Sequence, residues 1–205
     1  MISGTGGPLR IGVFGGAFDP PHQAHRAVVE AALDQLQLDQ LRVIPTGQAW
    51  HKASALSAVE HRVAMARLAF ADLAKVVVDP RETLRTGPTY TVDTLRELHA
   101  EFPGAQFHLV IGQDQAAALQ TWRDWDTVIR LAIICVAARP DSTGSERPFV
   151  PPEELGQHLR QLVFPHLPVS ATDIRQLFAG GQGVVPLVCD AVARYIVDHH
   201  LYRSA

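Results

Sequence analysis

Cysteine is scarce. The 205-residue chain has two, Cys135 and Cys189, far apart and in no Cys-x-x-Cys pair, so neither a zinc site nor a disulfide is implied. Charge of either sign is also short of an excess. Lys and Arg number 18 against 21 Asp and Glu, a net −3, and a chain without a basic excess or stripe is not expected to bind nucleic acid. No run approaches the roughly 18 to 20 apolar residues that a membrane helix needs. The opening MISGTGGPLR has no apolar core and does not read as a secretory signal. These absences predict a cytoplasmic protein that meets neither nucleic acid nor membrane. There is no internal repeat and no low-complexity tract, and nothing in the residues sets an oligomeric state.

What is there is ordinary for a packed globular chain: 47% hydrophobic and 19% charged residues, enough length for a substantial core, and one domain expected over residues 1–205. Short apolar runs at 11–14, 41–44, 76–78, 107–111, 132–138 and 162–164 read as strands, and Cys135 falls inside one as a core residue. Between them lie segments of helical spacing. The first starts by Pro21 and runs to about Leu38. The second, through about Leu73, opens on a Ser57-Ala58-Val59-Glu60 capping box, with Val59, Val63, Ala66, Leu68 and Phe70 inward. Residues 89–102 follow with a stripe of Val92, Leu95, Leu98 and Phe102, then short turns at 116–119 and 125–129. Two C-terminal helices are expected at 170–178 and 186–200, the latter with Pro186 in its first position, and 141–152 reads as an exposed loop. Alternation with connections too long for hairpins predicts an α/β fold: an open parallel sheet with helices on both faces.

The most informative stretch is Arg10 to Arg26, RIGVFGGAFDPPHQAHR. A strand, the Gly15-Gly16 turn and a helix start, in that order, put free backbone N–H groups and the positive end of a helix dipole at one spot, which suits phosphate. His22 and His25 are three apart, so on a helix their rings share one face, and each imidazole can donate a hydrogen bond to a phosphate oxygen. A plain turn and a metal half-site are the structural alternatives for the same residues. Late in the chain, Val169-Ser170-Ala171-Thr172-Asp173-Ile174-Arg175 has the form of a helix start with Ser170 as cap and Asp173 three on. That capping role accounts for the segment structurally. Functionally, Arg175 emerges from the first turn, where a guanidinium fork can grip phosphate oxygens.

GGAFDPPHQAH resembles the G-G-x-F-D-P-x-H-x-G-H signature of nucleotidyltransferases that join a nucleoside monophosphate unit to a phosphorylated acceptor, with Ala24 where that family usually has Gly. VSATDIR is similar to the same family's I-S-S-T-x-I-R motif, with Val169 for Ile and Ala171 for Ser. Glu82 to Arg85, Gly87 to Leu95, Ile111 to Asp114 and Thr121 to Trp125 together look like bacterial nicotinate mononucleotide adenylyltransferases, and the likeness covers nearly all of the chain.

The resemblance implies a Rossmann-like sheet of nucleotidyltransferase type and transfer of AMP from ATP to nicotinate mononucleotide, releasing pyrophosphate, in NAD synthesis. It assigns catalysis to His22, His25 and Arg175, and ATP contacts to Gly15, Gly16, Phe18, His22, His25, Asp114, Ser170, Thr172 and Arg175. Asp114 would meet the ribose. Lys52, Thr91 and Trp122 would hold the pyridine nucleotide, Trp122 as a stacking platform and Trp125 as the packing tryptophan. Gln48-Ala49-Trp50 departs from the proline-rich form usual before Lys52. Mg²⁺ is expected to arrive with ATP, and no residue is singled out as a metal ligand. Nicotinamide mononucleotide or phosphopantetheine as acceptor, and a non-catalytic nucleotide-binding regulator, stay open. A dinucleotide-binding dehydrogenase is disfavoured, because Gly12 to Ala17 supplies no G-x-G-x-x-G.

Overall fold

The computed structural model describes residues 7–47, 56–138, 153–165, 167–182 and 187–202. In chain order the elements are β1 (Arg10–Gly16), α1 (Gln23–Gln35), β2 (Gln40–Pro45), α2 (Val59–Ala69), β3 (Val76–Val78), α3 (Thr91–Glu101), β4 (Gln106–Gly112), α4 (Gln113–Ala117), α5 (Trp125–Leu131), β5 (Ile133–Ala138), β6 (Leu159–Val163), α6 (Ala171–Ala179) and α7 (Asp190–Asp198). The six strands form one sheet in the order β3-β2-β1-β4-β5-β6. Every neighbouring pair is parallel. This is the doubly wound arrangement that the alternation predicted.

Successive strand residues point to opposite faces, so each strand feeds two cores. On one face Phe14, Val43, Val110 and Cys135 pack with Val28 and Val29 of α1, Met65 and Ala66 of α2, Ile174 of α6 and Ile196 of α7. On the other, Ile11, Val13, Leu109, Ile111, Ile134 and Val136 meet Val92, Leu95 and Leu98 of α3, Ala116 of α4 and Val128 of α5. Burying both faces explains why the strands read as nearly continuous apolar runs. Among the described residues no helix is long and apolar enough to cross a membrane.

Tertiary contacts displace several element ends from where local signals put them. α1 begins at Gln23, not by Pro21: His22 is extended (φ −144°, ψ 174°) and serves as N-cap. The Gln23 N–H is taken by the Leu187 carbonyl at 2.9 Å. The helix also stops at Gln35, short of Leu38, with Gln37 left-handed at φ 49°. The capping box at Ser57 does not form. Its N–H goes to Asp19 Oδ2 (2.9 Å) and its carbonyl to Arg62 Nε (3.1 Å), leaving Ala58 as N-cap. Leu68 lies off the inward line of Arg62, Met65, Ala66 and Ala69 and is 36% exposed. α7 starts at Asp190, so Pro186, which lies outside the described residues, is not its first residue.

Candidate active site

The sheet opens between β1 and β4. Their ladder stops at Phe14↔Val110, whereas β1 goes on pairing with β2 to Gly16↔Pro45 and β4 with β5 to Gly112↔Ala137. The β4-facing side of Gly15 and Gly16 is therefore unpaired by the sheet, at the point where the strand order reverses direction. Open α/β sheets bind ligands in that crevice, beyond the carboxyl ends of the strands. The strand thus runs through both glycines rather than ending before them. The two differ. A side chain on Gly16 would stand 3.0 Å from the Phe18 ring, whereas at Gly15 the nearest atom is the Ile44 carbonyl oxygen at 4.0 Å. Gly16 is small because Phe18 packs beneath it, and Gly15 is the open position.

Phe18, expected among the ATP contacts, keeps its side chain in the core, which leaves its backbone to face the crevice. It is 1% exposed, with its ring edge-on to Phe14 (5.7 Å) and Phe70 (6.3 Å) and tilted against His25 (5.1 Å). A bulky residue at φ 50° is costly outside glycine, and this backbone drops the ring into the core while the chain turns toward α1. Its task is to brace His25.

His22 and His25 are brought together as expected, with ring centroids 3.8 Å apart and planes 34° from parallel. The His22 N–H donates to His25 Nδ1 at 3.2 Å. A backbone N–H can only donate, so His25 carries its ring proton on Nε2, the nitrogen that can donate to a phosphate oxygen. Burial lowers the His22 pKa from 6.5 to about 4, so this imidazole is neutral near pH 7. Ala24 sits in the first turn of α1, where helical backbone accepts a methyl group.

Arg175 crosses from α6 to this turn. Its Nη1 donates to the Asp19 carbonyl oxygen at 2.7 Å and its Nη2 to Thr172 Oγ1 at 3.1 Å. Thr172 thereby aims the guanidinium. Ser170 is the cap that the spacing predicted: Oγ accepts the Asp173 N–H (3.1 Å) and donates to Asp173 Oδ2 (2.6 Å). With both hydroxyl functions engaged, Ser170 has its backbone to offer a phosphate.

Asp114 lies exposed in the first turn of α4, just past the end of β4. Its Oδ1 is 2.8 Å from where a side chain on Gly112 would begin, so glycine at 112 lets the carboxylate fold over the strand end. Thr91 opens α3, and Tyr90 before it is the N-cap. The Arg123 guanidinium sits 4.5 Å from the centre of the Tyr90 ring, and Arg96 Nη2 of α3 reaches Asp124 Oδ2 at 2.6 Å. These contacts hold the segment around Trp122 against the start of α3, where Thr91 lies. Trp122, rather than Trp125, packs against the second core. Lys52, and with it Trp50 and His51, lies outside the described residues.

Three residues that hold the site together carried no assignment from sequence. Asp19 is 2% exposed and accepts the Ser57 N–H and, at Oδ1, the Tyr202 hydroxyl at 2.6 Å. Arg62 is equally buried and donates to the carbonyls of Ala17 (3.0 Å), Thr46 (2.8 Å), Gly47 (3.2 Å) and Ser57 (3.1 Å), pinning the ends of β1 and β2 to the start of α2. Burial depresses its pKa, with the Asp19 charge nearby opposing the shift. A signal existed for Arg62, a cation one residue from Val63 on an inward helical stripe. None existed for Tyr202.

Set against known proteins, residues 13–177 match the cytidylyltransferase-like family model. A protein of Albidiferax ferrireducens named probable nicotinate-nucleotide adenylyltransferase is 59% identical over 196 residues, 96% of this chain and 99% of that one. One of the same name from Bordetella avium is 41% identical over 198 residues, again 96% and 99%. Among solved structures, the nicotinic acid mononucleotide adenylyltransferase of Plasmodium falciparum complexed with NaAD has the same fold. The TM-score is 0.75 over 94% of this chain and 97% of that one, at 18% identity.

Proposed function

The chain belongs to the cytidylyltransferase-like family, and from that premise we propose that it is a nicotinate-nucleotide adenylyltransferase: ATP and nicotinate mononucleotide give nicotinate adenine dinucleotide and pyrophosphate. The observation that carries the residue roles is the meeting of two distant segments, Arg175 on the Asp19 carbonyl with the His22–His25 pair three residues further on. A triphosphate laid along the β1–β4 crevice would have its α-phosphate at the Gly15 and His25 donors and its outer phosphates within reach of Arg175.

An oxygen of the acceptor's 5′-phosphate attacks the α-phosphorus in line, the bond from that phosphorus to the bridging oxygen breaks, and pyrophosphate leaves. No protein nucleophile is needed, and the acceleration comes from positioning and charge neutralisation. His25 Nε2–H donates to the α-phosphate as its charge rises. Arg175 exchanges a neutral carbonyl for the β- and γ-phosphates, a stronger charge-assisted partner. Asp114 accepts from the ATP ribose, while Thr91, Trp122 and Lys52 take the pyridine nucleotide. Mg²⁺, expected to arrive with ATP, would supply further charge neutralisation at the phosphates. We place the reaction in the cytoplasm.

The test is pyrophosphate release from ATP with nicotinate mononucleotide, nicotinamide mononucleotide and phosphopantetheine side by side. Fastest release is expected with the first. Release with another acceptor alone, or with none, overturns the reading.

A further inference from the structure

Tyr202 follows α7 by four residues, and its contacts lead to the crevice in two steps. Its backbone is left-handed at φ 63°, an uncommon conformation for a bulky side chain that surrounding contacts must maintain. The phenol is turned inward beside Met65 Sδ (3.8 Å) and donates to Asp19 Oδ1 at 2.6 Å. Burial first, and the bond to Asp19 second, raise the phenol pKa, so the hydroxyl stays a donor throughout the working pH range.

The Asp19 carboxylate is buried and accepts from two sides, the Tyr202 hydroxyl and the Ser57 N–H. The same residue presents its backbone carbonyl to Arg175. Its side chain is thus anchored to the C-terminal segment and to the start of α2, while its main chain is the rest for the guanidinium and the lead-in to His22. A buried carboxylate that loses one of two donors has to seek another by moving, because leaving the oxygen unpaired costs more than a small shift of the turn. The pyridine wall would not feel that shift, since the segments carrying Thr91 and Trp122 are fastened by Tyr90–Arg123 and Arg96–Asp124 and pack on the second core, the other face of the sheet.

We propose that Tyr202 is a positioning residue of the nucleotide site: by holding the Asp19 carboxylate it fixes the carbonyl on which Arg175 rests and the turn that carries His22 and His25. This rests on the reading that those three residues meet the phosphates of ATP. It gives the last described turn of the chain a share in nucleotide affinity.

The experiment is calorimetric titration of the full chain with α,β-methylene-ATP plus Mg²⁺ and, separately, with nicotinate mononucleotide, for wild type, Tyr202→Phe and Tyr195→Phe. Tyr195 is a matched control on α7, its hydroxyl bonded to His61 Nδ1 at 3.0 Å away from the crevice. Tyr202→Phe is expected to weaken the ATP analogue about five- to tenfold, the scale of one hydrogen bond's net contribution. Nicotinate mononucleotide should stay within about twofold, and Tyr195→Phe should change neither. An unchanged Kd for the analogue, or equal weakening of both ligands, overturns the proposal. If Tyr202→Phe gives no cooperative melt, Asp19→Asn is judged by the same two titrations. Wild-type protein that binds the analogue but releases no pyrophosphate defeats the reaction proposed above and leaves this inference decided by the Kd ratio. Wild-type protein that does not bind the analogue defeats both.

Discussion

Arg175 Nη1 lies 2.7 Å from the carbonyl oxygen of Asp19, a residue 156 positions earlier in the chain. A carbonyl is a weaker partner for a guanidinium than a phosphate, so the contact orients Arg175 without holding it against an incoming triphosphate. Arg175→Lys keeps the charge but loses the planar fork. The expected outcome is a KM for ATP raised about tenfold, from the loss of one charge-assisted hydrogen bond, with KM for the pyridine nucleotide unchanged. Steady-state kinetics with each substrate varied in turn decides it, and a rise confined to the pyridine nucleotide would contradict the assignment.

His25 is oriented from both sides, by the His22 N–H at Nδ1 and by the Phe18 ring. His25→Ala should lower kcat by roughly 10² or more, the scale of a lost transition-state donor. Turnover near that of wild type would remove it from the reaction.

Trp122→Ala should raise KM for nicotinate mononucleotide by about tenfold while leaving KM for ATP within twofold, from the loss of a stacking face. Because Trp122 also packs against the second core, thermal melting of the variant belongs beside the kinetics. Equal rises for both substrates would make it a packing residue alone.

His108 is 1% exposed, with Nε2 3.3 Å from Gln106 Oε1 and Nδ1 3.8 Å from Cys135 Sγ, and burial lowers its pKa from 6.5 to about 4. The unfolded chain takes a proton below about pH 6.5 and the folded protein does not until about pH 4, so this residue's contribution is complete above 6.5 and drains away as pH falls. Between pH 7 and 5 it should cost about 2 kcal/mol. His22 shifts the same way and adds to the trend. Urea unfolding at both pH values should show a smaller difference in His108→Gln than in wild type. An equal difference would place the pH dependence elsewhere.

Arg62→Met leaves four carbonyls and the nearby Asp19 charge without their buried cation. A loss of about 3 kcal/mol or more is expected, seen as a lower urea midpoint with the slope unchanged. A loss below about 1 kcal/mol would mean that other donors reach those carbonyls.

The strands, the doubly wound order of layers and the inward stripe of α3 were legible in the sequence because each follows from local periodicity. Valine, isoleucine and phenylalanine at every position of a short run can be buried only on both faces of a sheet, and Val92, Leu95 and Leu98 share one side of any helix. The Ser170 cap was legible for the same reason, its partner being three residues away. Where a residue's hydrogen bonds went to a distant segment, local signals misplaced it. Ser57 had the pattern of a cap and was claimed by Asp19 and Arg62. Phe18 stood in a nucleotide motif and was drawn into the core by Phe14 and Phe70.

The residues by themselves determined the chemistry at hand: a glycine turn, two imidazoles and a guanidinium in the order that suits a triphosphate. Folding alone decided which groups hold those in place, since Asp19, the Ser57–Arg62 start of α2 and Tyr202 come from three separate segments. Their bonds form only once the sheet has buried them together, and no spacing along the chain records that meeting.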